Sequence, residues 1–190
     1  MQHFKWNLHL YSRETDDESG LIRHCLEGDA RAQKALYNVL APKMFSVCLR
    51  YAGDRQAAED ILQDGFVTLF SKLDTYSGEG SFEGWARKIF VNTALMSLRK
   101  NDLLRESEDI DTAWNISGGD VPAIRQITYK ELMKCIGELP AGYRTVFNMY
   151  VVEGYSHKEI GEALGISENT SRSQLQRARV MLQKKIGKEE

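Results

Sequence analysis

The sequence predicts an all-α protein made of two small helical domains joined by a flexible acidic linker, the C-terminal domain containing a helix-turn-helix. Apolar residues recur at helical spacing, and few stretches alternate in the way that strands require. Only three prolines interrupt the 190 residues. The span 101–125 is acidic and weakly periodic and includes Gly-Gly and Val-Pro, which is typical of a linker between two folded parts.

The N-terminal part is predicted to begin with a disordered lead-in over 1–18 and to continue as a helical domain over 19–100. Gly28 and Asp29 indicate a helix end followed by a new N-cap. Pro42 suits the first turn of a further helix, because its missing N–H has no partner there anyway. The helices are predicted over 21–27, 30–40, 42–51, 54–73 and 82–100, with a glycine-containing loop over 74–81.

The C-terminal domain is predicted over 126–190 as four helices. The stretch SHKE places a hydroxyl at Ser156 and a carboxylate three residues later at Glu159, which is a capping box. Gly165 then permits a left-handed turn, and Ser167 can cap the next helix. Two helices joined by a tight glycine turn, the second one basic, predict a helix-turn-helix.

The second of these helices divides into two faces when its residues are placed about 100° apart. Ser171, Leu175, Ala178 and Leu182 share the side predicted to be core. Net charge is only −2, but six Lys or Arg and one acid occur over 168–188. Arg forks onto guanine and Gln or Asn onto adenine, so the outer side suits a DNA major groove. A solvated face of a structural helix is the alternative. The outer side carries Asn169, Arg172, Ser173, Gln176 and Arg177, and Arg179 is predicted to meet phosphate.

The helix over 54–73 also divides into two faces. The predicted buried stripe is Ile61, Leu62, Phe66, Leu69 and Leu73, and the opposite stripe is Asp60, Gln63, Asp64, Val67 and Ser71. Its carboxylates permit a solvated face, an interface, or a metal pair in a hydrolase or nuclease that would use Asp54, Asp60 and Asp64. The last interpretation lacks further carboxylates and a base at useful spacing.

Aromatic and basic residues are interleaved just after this helix. Stacking rings beside cations suit single-stranded nucleic acid, since bases stack while phosphates are neutralised. The alternative is that the rings are core, which we favour for Trp85. The residues are Tyr76, Phe82 and Trp85 with Arg87, Lys88, Arg99 and Lys100.

The cysteines exclude several classes of protein. Cys25, Cys48 and Cys135 form no C-x-x-C pair, and His24 has no second ligand pair at metal spacing. We therefore expect reduced, buried thiols, no structural metal and no cofactor. No signal peptide or membrane span is expected, so the predicted location is the cytoplasm.

Two long stretches of the chain resemble one known family. AEDILQDGFVTLFSKLDTYSGEGSFEGWARKIFVNTALMSLRK (58–100) is similar to the second conserved region of bacterial sigma factors. ELPAGYRTVFNMYVVEGYSHKEIGEALGISENTSRSQLQRARVML (138–182) is similar to their fourth region. With a short linker and no intervening domain, the layout resembles the extracytoplasmic-function subgroup. The resemblance covers about residues 21–185.

The resemblance implies a promoter-specificity subunit that is not itself an enzyme. It would bind core RNA polymerase through the β′ clamp helices and the β flap, and promoter DNA at the −10 and −35 elements. The residues implied for core binding are Asp60, Gln63 and Asp64. Those implied for a flipped base and the melted −10 strand are Tyr76, Ser77, Gly78, Glu79, Arg87, Lys88 and Asn92. Those implied for −35 contact are Asn169, Arg172, Ser173, Gln176 and Arg177.

The same resemblance implies further partners and some departures. Members of the subgroup are often held by a membrane-linked anti-sigma factor, and the linker threads through polymerase. Ser171 replaces the usual valine or isoleucine, and Gln176 replaces the usual aromatic or aliphatic residue. A stand-alone helix-turn-helix regulator is the alternative function, but residues 1–100 lack the strand alternation of a receiver domain.

Overall fold

The computed structural model describes residues 18–100 and 128–187. All regular secondary structure in these ranges is helical, which confirms the all-α prediction. The predicted linker and the predicted lead-in, apart from residue 18, lie outside the described residues. The helices are α1 Glu18–Leu26, α2 Ala30–Ala52, α3 Arg55–Ser71, a 3₁₀ turn Leu73–Thr75, α4 Phe82–Lys100, α5 Tyr129–Gly137, α6 Ala141–Phe147 with a π-helical turn Asn148–Val152, α7 His157–Leu164 and α8 Glu168–Ile186.

The chain separates into two compact units. Among the described residues, the first unit comprises 18–48 and 59–93, and the second comprises 49–58, 94–100 and 128–187. The last turn of α2 and the beginning of α3 therefore belong to the second unit.

The prediction of two helices over 30–40 and 42–51 is wrong, because α2 runs unbroken through Pro42. The buried residues of α2 keep helical spacing on both sides of the proline, so packing one continuous stripe outweighs the lost backbone hydrogen bond. Pro42 itself is exposed, which leaves the carbonyl that loses its partner close to solvent. The stripe consists of Ala32, Leu36, Leu40, Met44, Val47, Cys48 and Tyr51.

The core of the first unit is aromatic where α3 and α4 pack together. The rings of Phe66 and Phe90 meet edge to face with centroids 5.1 Å apart, a favourable arrangement of two ring quadrupoles. Lys43 on α2 forms an ion pair with Glu83 on α4 at 2.5 Å. The predicted buried stripe of α3 is buried along its whole length, which confirms that half of the amphipathic pattern.

The three thiols are free, as predicted. Cys25 and Cys48 are buried, whereas Cys135 is only half-buried. Burial and, to a smaller extent, the nearby charge of Asp29 together raise the pKa of Cys25 to about 11. A thiol with so high a pKa carries little thiolate at neutral pH and is a packing residue rather than a nucleophile.

The second unit packs α8 against α5 and α6. Its apolar cluster consists of Ile136, Leu139, Tyr143, Ala178 and Leu182. Two of these residues lie on the predicted core face of the second helix of the helix-turn-helix. The hydrophobic contact therefore holds α8 by one face and leaves the opposite face available.

Arg144 on α6 is buried within the same unit. Its guanidinium donates to the carbonyl oxygens of Tyr51 and Ala52 at 3.1 and 3.0 Å, and to those of Gly137 and Leu139 at 2.9 Å each. Tyr51 and Ala52 end α2 and Gly137 ends α5, so the cation lies at the negative ends of two helix dipoles.

Candidate nucleic-acid interface

The helix-turn-helix is built as the sequence predicts. Ser156 accepts the backbone N–H of Glu159 at 3.3 Å, and the Glu159 carboxylate accepts that of Ser156 at 2.8 Å, which completes the capping box of α7. Gly165 ends α7 with φ +71°, in the left-handed region that glycine adopts without strain. Ser167 then caps α8 by accepting the N–H of Thr170 at 2.9 Å. These short-range bonds fix where α7 begins and where α8 begins, and Gly165 makes the turn between them.

The face of α8 that the sequence predicts to be core is buried. Ser171, Leu175, Ala178 and Leu182 are all buried. On the other side Asn169, Arg172 and Gln176 are exposed, whereas Ser173 and Arg177 are half-buried. The Ser173 hydroxyl donates to the carbonyl of Thr170 at 3.0 Å, and the Nε and Nη1 atoms of Arg177 are buried. Asn169, Arg172 and Gln176 therefore form the accessible part of the predicted −35 surface.

Arg172 is ion-paired with Glu168 one turn earlier on α8. A carboxylate four residues before an arginine orients its guanidinium along the helix surface. Arg179 lies over the ring of Tyr150, with its Cζ atom 5.9 Å from the ring centroid, which is cation–π range.

Residues that the sequence pattern missed also shape this surface. Gln174 is buried in α8, although its type and neighbours suggest an exposed position. His157, the first residue of α7, hydrogen-bonds through Nδ1 to the Ser171 hydroxyl at 2.9 Å, and its ring stacks on Tyr150 at 4.4 Å. The one available signal was the polar Ser171 within an otherwise apolar core stripe, because a buried hydroxyl needs a partner.

The loop after α3 is closed on itself. The Tyr76 hydroxyl donates to the carbonyl of Gly80 at 3.0 Å, and the Ser77 hydroxyl accepts the N–H of Glu79 at 3.3 Å. Gly78 and Gly80 both have φ +79°, so the tight path depends on glycine at two positions. Burial, reinforced by the charge of Glu18, raises the pKa of the Tyr76 hydroxyl.

The aromatic residues around this loop form one cluster. The Tyr76 ring lies 5.1 Å from that of Phe82 and 5.4 Å from that of Trp85, measured between centroids. Phe82 is fully buried and Trp85 half-buried. Trp85 is therefore intermediate between the core residue that we favoured and an open stacking platform. Beyond the cluster, Lys88 and Asn92 are exposed one turn apart on α4, and Arg87 is half-buried beside them.

The polar face of α3 is exposed throughout. Asp60, Gln63, Asp64 and Val67 all lie on this side, and Val67 is 71% exposed. Within residues 18–100 and 128–187, no group of three or more His, Cys, Asp or Glu side chains is placed to hold a metal ion. No helix in the described part of the chain has the length and apolar character needed to cross a membrane.

Two family profiles match the chain in the order that the sequence predicts. "Sigma-70 region 2" matches residues 36–103 and "Sigma-70, region 4" matches residues 129–182. The first match contains α3, the loop and α4, and the second contains all of α7 and most of α8. The regions that carry the exposed polar faces are thus the regions that define the family.

Curated proteins that are similar to this chain over most of their length are themselves sigma factors. ECF RNA polymerase sigma factor SigE of Mycolicibacterium smegmatis is 27% identical over 92% of this chain and 70% of its own. ECF RNA polymerase sigma-E factor of Haemophilus influenzae is 26% identical, over 89% and 95%. SigW of Bacillus subtilis is 26% identical, over 87% and 94%. A solved complex of sigma factor RpoE with anti-sigma factor NepR from Bartonella quintana has TM-score 0.49 and 23% identity, over 80% and 94%.

A region 2 and a region 4 on one helical chain define a protein of the sigma-70 class. This chain belongs to that family, and the relatives that it matches along nearly its whole length place it among the ECF RNA polymerase sigma factors.

Proposed function

We propose that this sigma factor acts through three separate surfaces, one for core RNA polymerase and two for promoter DNA. The observation that carries the proposal is the division of α8: a fully buried stripe holds the helix in its unit while Asn169, Arg172 and Gln176 are exposed. Asn, Arg and Gln are residue types that read base edges, and all three lie on the face of α8 that is not used for packing.

The α3 polar face is proposed to bind the β′ clamp helices. Asp60, Gln63 and Asp64 lie within the two turns of α3 that precede the exposed Val67, on the same side of the helix. An apolar residue with carboxylates beside it on the same face fits a partner surface that combines apolar and basic groups. In the second unit, the exposed Val151 and Val152 support contact with the β flap.

The loop over 76–80 and the outer face of α4 are proposed to hold the melted −10 strand. Taking a base out of the stack costs a few kcal/mol, and stacking with pocket contacts can offset that cost. The closed loop supports this role because its backbone is already ordered before DNA arrives. Lys88 and Asn92 are neighbours on one side of α4. The Lys88 ammonium can bind a phosphate, and the Asn92 amide can bind a base. An anti-sigma partner stays a prediction of the family resemblance.

The test uses the full chain with core RNA polymerase and a library of promoter fragments randomised in the −35 and −10 elements. We expect a stable holoenzyme and run-off transcripts from a subset of fragments. A chain that binds DNA fragments but no core polymerase would instead be the stand-alone helix-turn-helix regulator.

A variant sharpens the test of the core-binding surface. Asp60→Ala combined with Asp64→Ala should lower core affinity about tenfold, because rigid charges at an interface steer and orient the partner. Its circular dichroism should be unchanged. Asp74→Ala with Glu162→Ala removes the same charge from exposed positions elsewhere and should leave core binding intact. Lost helicity in the first variant would mean that the α3 face is structural.

A further inference from the structure

A hydrogen bond between side chains joins the two helices of the helix-turn-helix. His157 Nδ1 and Ser171 Oγ lie 2.9 Å apart. His157 is the first residue of α7, and Ser171 lies in the first turns of α8. The bond is therefore made at the end of α8 from which base edges are reached.

The environment of Ser171 makes this bond important. Ser171 is 0% exposed, so solvent cannot replace the imidazole as its partner. Removing the hydrogen-bond partner of a buried hydroxyl lowers the stability of the fold more than removing that of an exposed one. The buried hydroxyl has been taken out of water, and nothing then compensates for its desolvation. An apolar side chain at this position would need no such partner.

The ring of His157 is also fixed from a second side. It stacks on Tyr150 of the π-helical turn, with centroids 4.4 Å apart and planes 21° apart. The Arg179 guanidinium lies over the same Tyr150 ring, 5.9 Å from its centroid. The imidazole thus bridges the π-helical turn and α8, and it has little freedom to turn away from Ser171.

We propose that His157 is a positioning residue for −35 recognition: its bond to Ser171 sets the rotation of α8 about its own axis and thereby the direction of Arg172. This inference rests on the proposed function. Arg172 follows Ser171 directly, so a turn of the helix about its axis carries both side chains together. His157 acts through α8 and needs no contact with a base.

The charges around the ring make the protonation of His157 sensitive to DNA binding. From α8, Arg172, Glu168 and Arg179 face it, and Tyr150 stacks on it from the π-helical turn. Burial lowers the pKa of His157, Arg172 and Arg179 lower it further, and Glu168 opposes them. A DNA phosphate that neutralises Arg179, and a base edge that accepts hydrogen bonds from Arg172, raise that pKa again. The complex then holds more protons than the free protein, so −35 affinity rises as pH falls through the histidine range.

Protonation is compatible with the positioning bond. In imidazolium both ring nitrogens are donors, so Nδ1–H can donate to the Ser171 oxygen while Nε2–H can donate to another acceptor. In the neutral ring the serine hydroxyl can donate to Nδ1 instead. The bond therefore persists on both sides of the titration, and pH changes affinity without releasing α8.

The experiment uses holoenzyme made with the full chain and the duplex that wild type selects from a pool randomised in the −35 element. His157→Phe keeps a ring on Tyr150 and removes Nδ1, whereas Ser171→Ala removes the hydroxyl. Each should weaken −35-dependent binding about five- to tenfold. The double variant should lose about as much as one single variant, since both remove the same bond.

The pH profile provides the second readout. Wild type should bind the selected duplex about threefold or more tightly at pH 6 than at pH 8, and His157→Phe should lose this dependence. His24→Phe is the matched control, because His24 hydrogen-bonds Glu27 in the other unit, and it should keep the wild-type profile. Ser171→Ala, which leaves the imidazole in place, tests the bond even if His157→Phe folds poorly.

The outcomes separate this inference from the function on which it rests. A wild-type chain that forms no holoenzyme would overturn both. A wild-type holoenzyme that transcribes, with single-variant losses that multiply in the double variant, would overturn the positioning role and leave the sigma function standing. A pH profile unchanged in His157→Phe would overturn the coupling between the charge of His157 and DNA binding.

Discussion

The ring of Phe90 fills the space in which a side chain at position 65 would begin. A Cβ atom built on Gly65 would lie 2.4 Å from the Cδ1 and Cε1 atoms of that ring, well inside van der Waals contact. Gly65 lies within α3 and Phe90 within α4, so the glycine lets these two helices approach closely. Both helices carry proposed functional faces, and this contact fixes their relative rotation within the first unit.

Gly65→Ala is expected to lower the free energy of unfolding by about 1–3 kcal/mol, because the fully buried ring has no room to move. This holds although alanine in a helix interior is favoured over glycine by about 1 kcal/mol. Urea unfolding followed by circular dichroism measures the change. In the control Gly84→Ala, the nearest atom to the new Cβ is 3.7 Å away, and stability should stay or rise. A stabilised Gly65→Ala variant would contradict the close approach.

Arg144→Met is expected to destabilise the second unit by about 2–4 kcal/mol, because buried carbonyl oxygens lose a charged donor that no water replaces. Arg144→Lys should recover only part of the loss, since an ammonium is a compact point charge and lacks the fork that reaches four acceptors. Urea unfolding curves provide the measurement. Arg31→Met removes an exposed arginine and should change stability by less than about 0.5 kcal/mol; equal effects at 31 and 144 would refute the buried network.

Tyr76→Phe is expected to slow promoter melting while changing stability by only about 1 kcal/mol. The variant keeps the ring contacts with Phe82 and Trp85 but removes the hydroxyl that closes the loop onto the carbonyl of Gly80. A loop with two positive-φ glycines then has more conformations to lose on binding. The fluorescence of 2-aminopurine in the −10 element reports melting by holoenzyme, and we expect a two- to fivefold lower rate, about 0.4–1 kcal/mol.

The control for that prediction is Tyr129→Phe, which removes an exposed hydroxyl from the other unit. It should leave the melting rate unchanged. A Tyr76→Phe holoenzyme that melts the promoter at the wild-type rate would mean that the bond between the Tyr76 hydroxyl and Gly80 plays no part in melting.

The sequence predicts well the parts of the fold that depend on local periodicity and capping. The buried stripe of α3, the core face of α8 and the cap at Ser167 each follow from residues within one or two turns, so a single stretch contains the whole signal. The break expected at Pro42 is wrong for the opposite reason. There the local rule for proline was outweighed by an apolar stripe that continues on both sides and packs in three dimensions.

Contacts between distant residues could not be predicted in the same way. No residue near Gly65 in the sequence indicates that the ring of Phe90 packs against it. The carbonyl oxygens at the end of α2 that accept hydrogen bonds from Arg144 lie more than 90 residues away in the sequence. The site shows the same limit. The residue types on α8 predict which face can read DNA, but the burial of Gln174 and the partial burial of Arg177 depend on how neighbouring helices pack against it.

Arg172→Ala is expected to relax base preference at one position of the −35 element by about 1–3 kcal/mol, because an exposed arginine on the outer face of α8 can fork onto guanine. Binding of holoenzyme to the randomised −35 pool, followed by sequencing of the bound fraction, measures the preference position by position. Arg179→Ala is the matched control. Its guanidinium lies over Tyr150 and is predicted to meet phosphate, so its loss should weaken all sequences alike and lower the salt slope by about 1. An unchanged preference at every position would remove Arg172 from the −35 readers, and a changed preference in Arg179→Ala would assign that role to the second arginine.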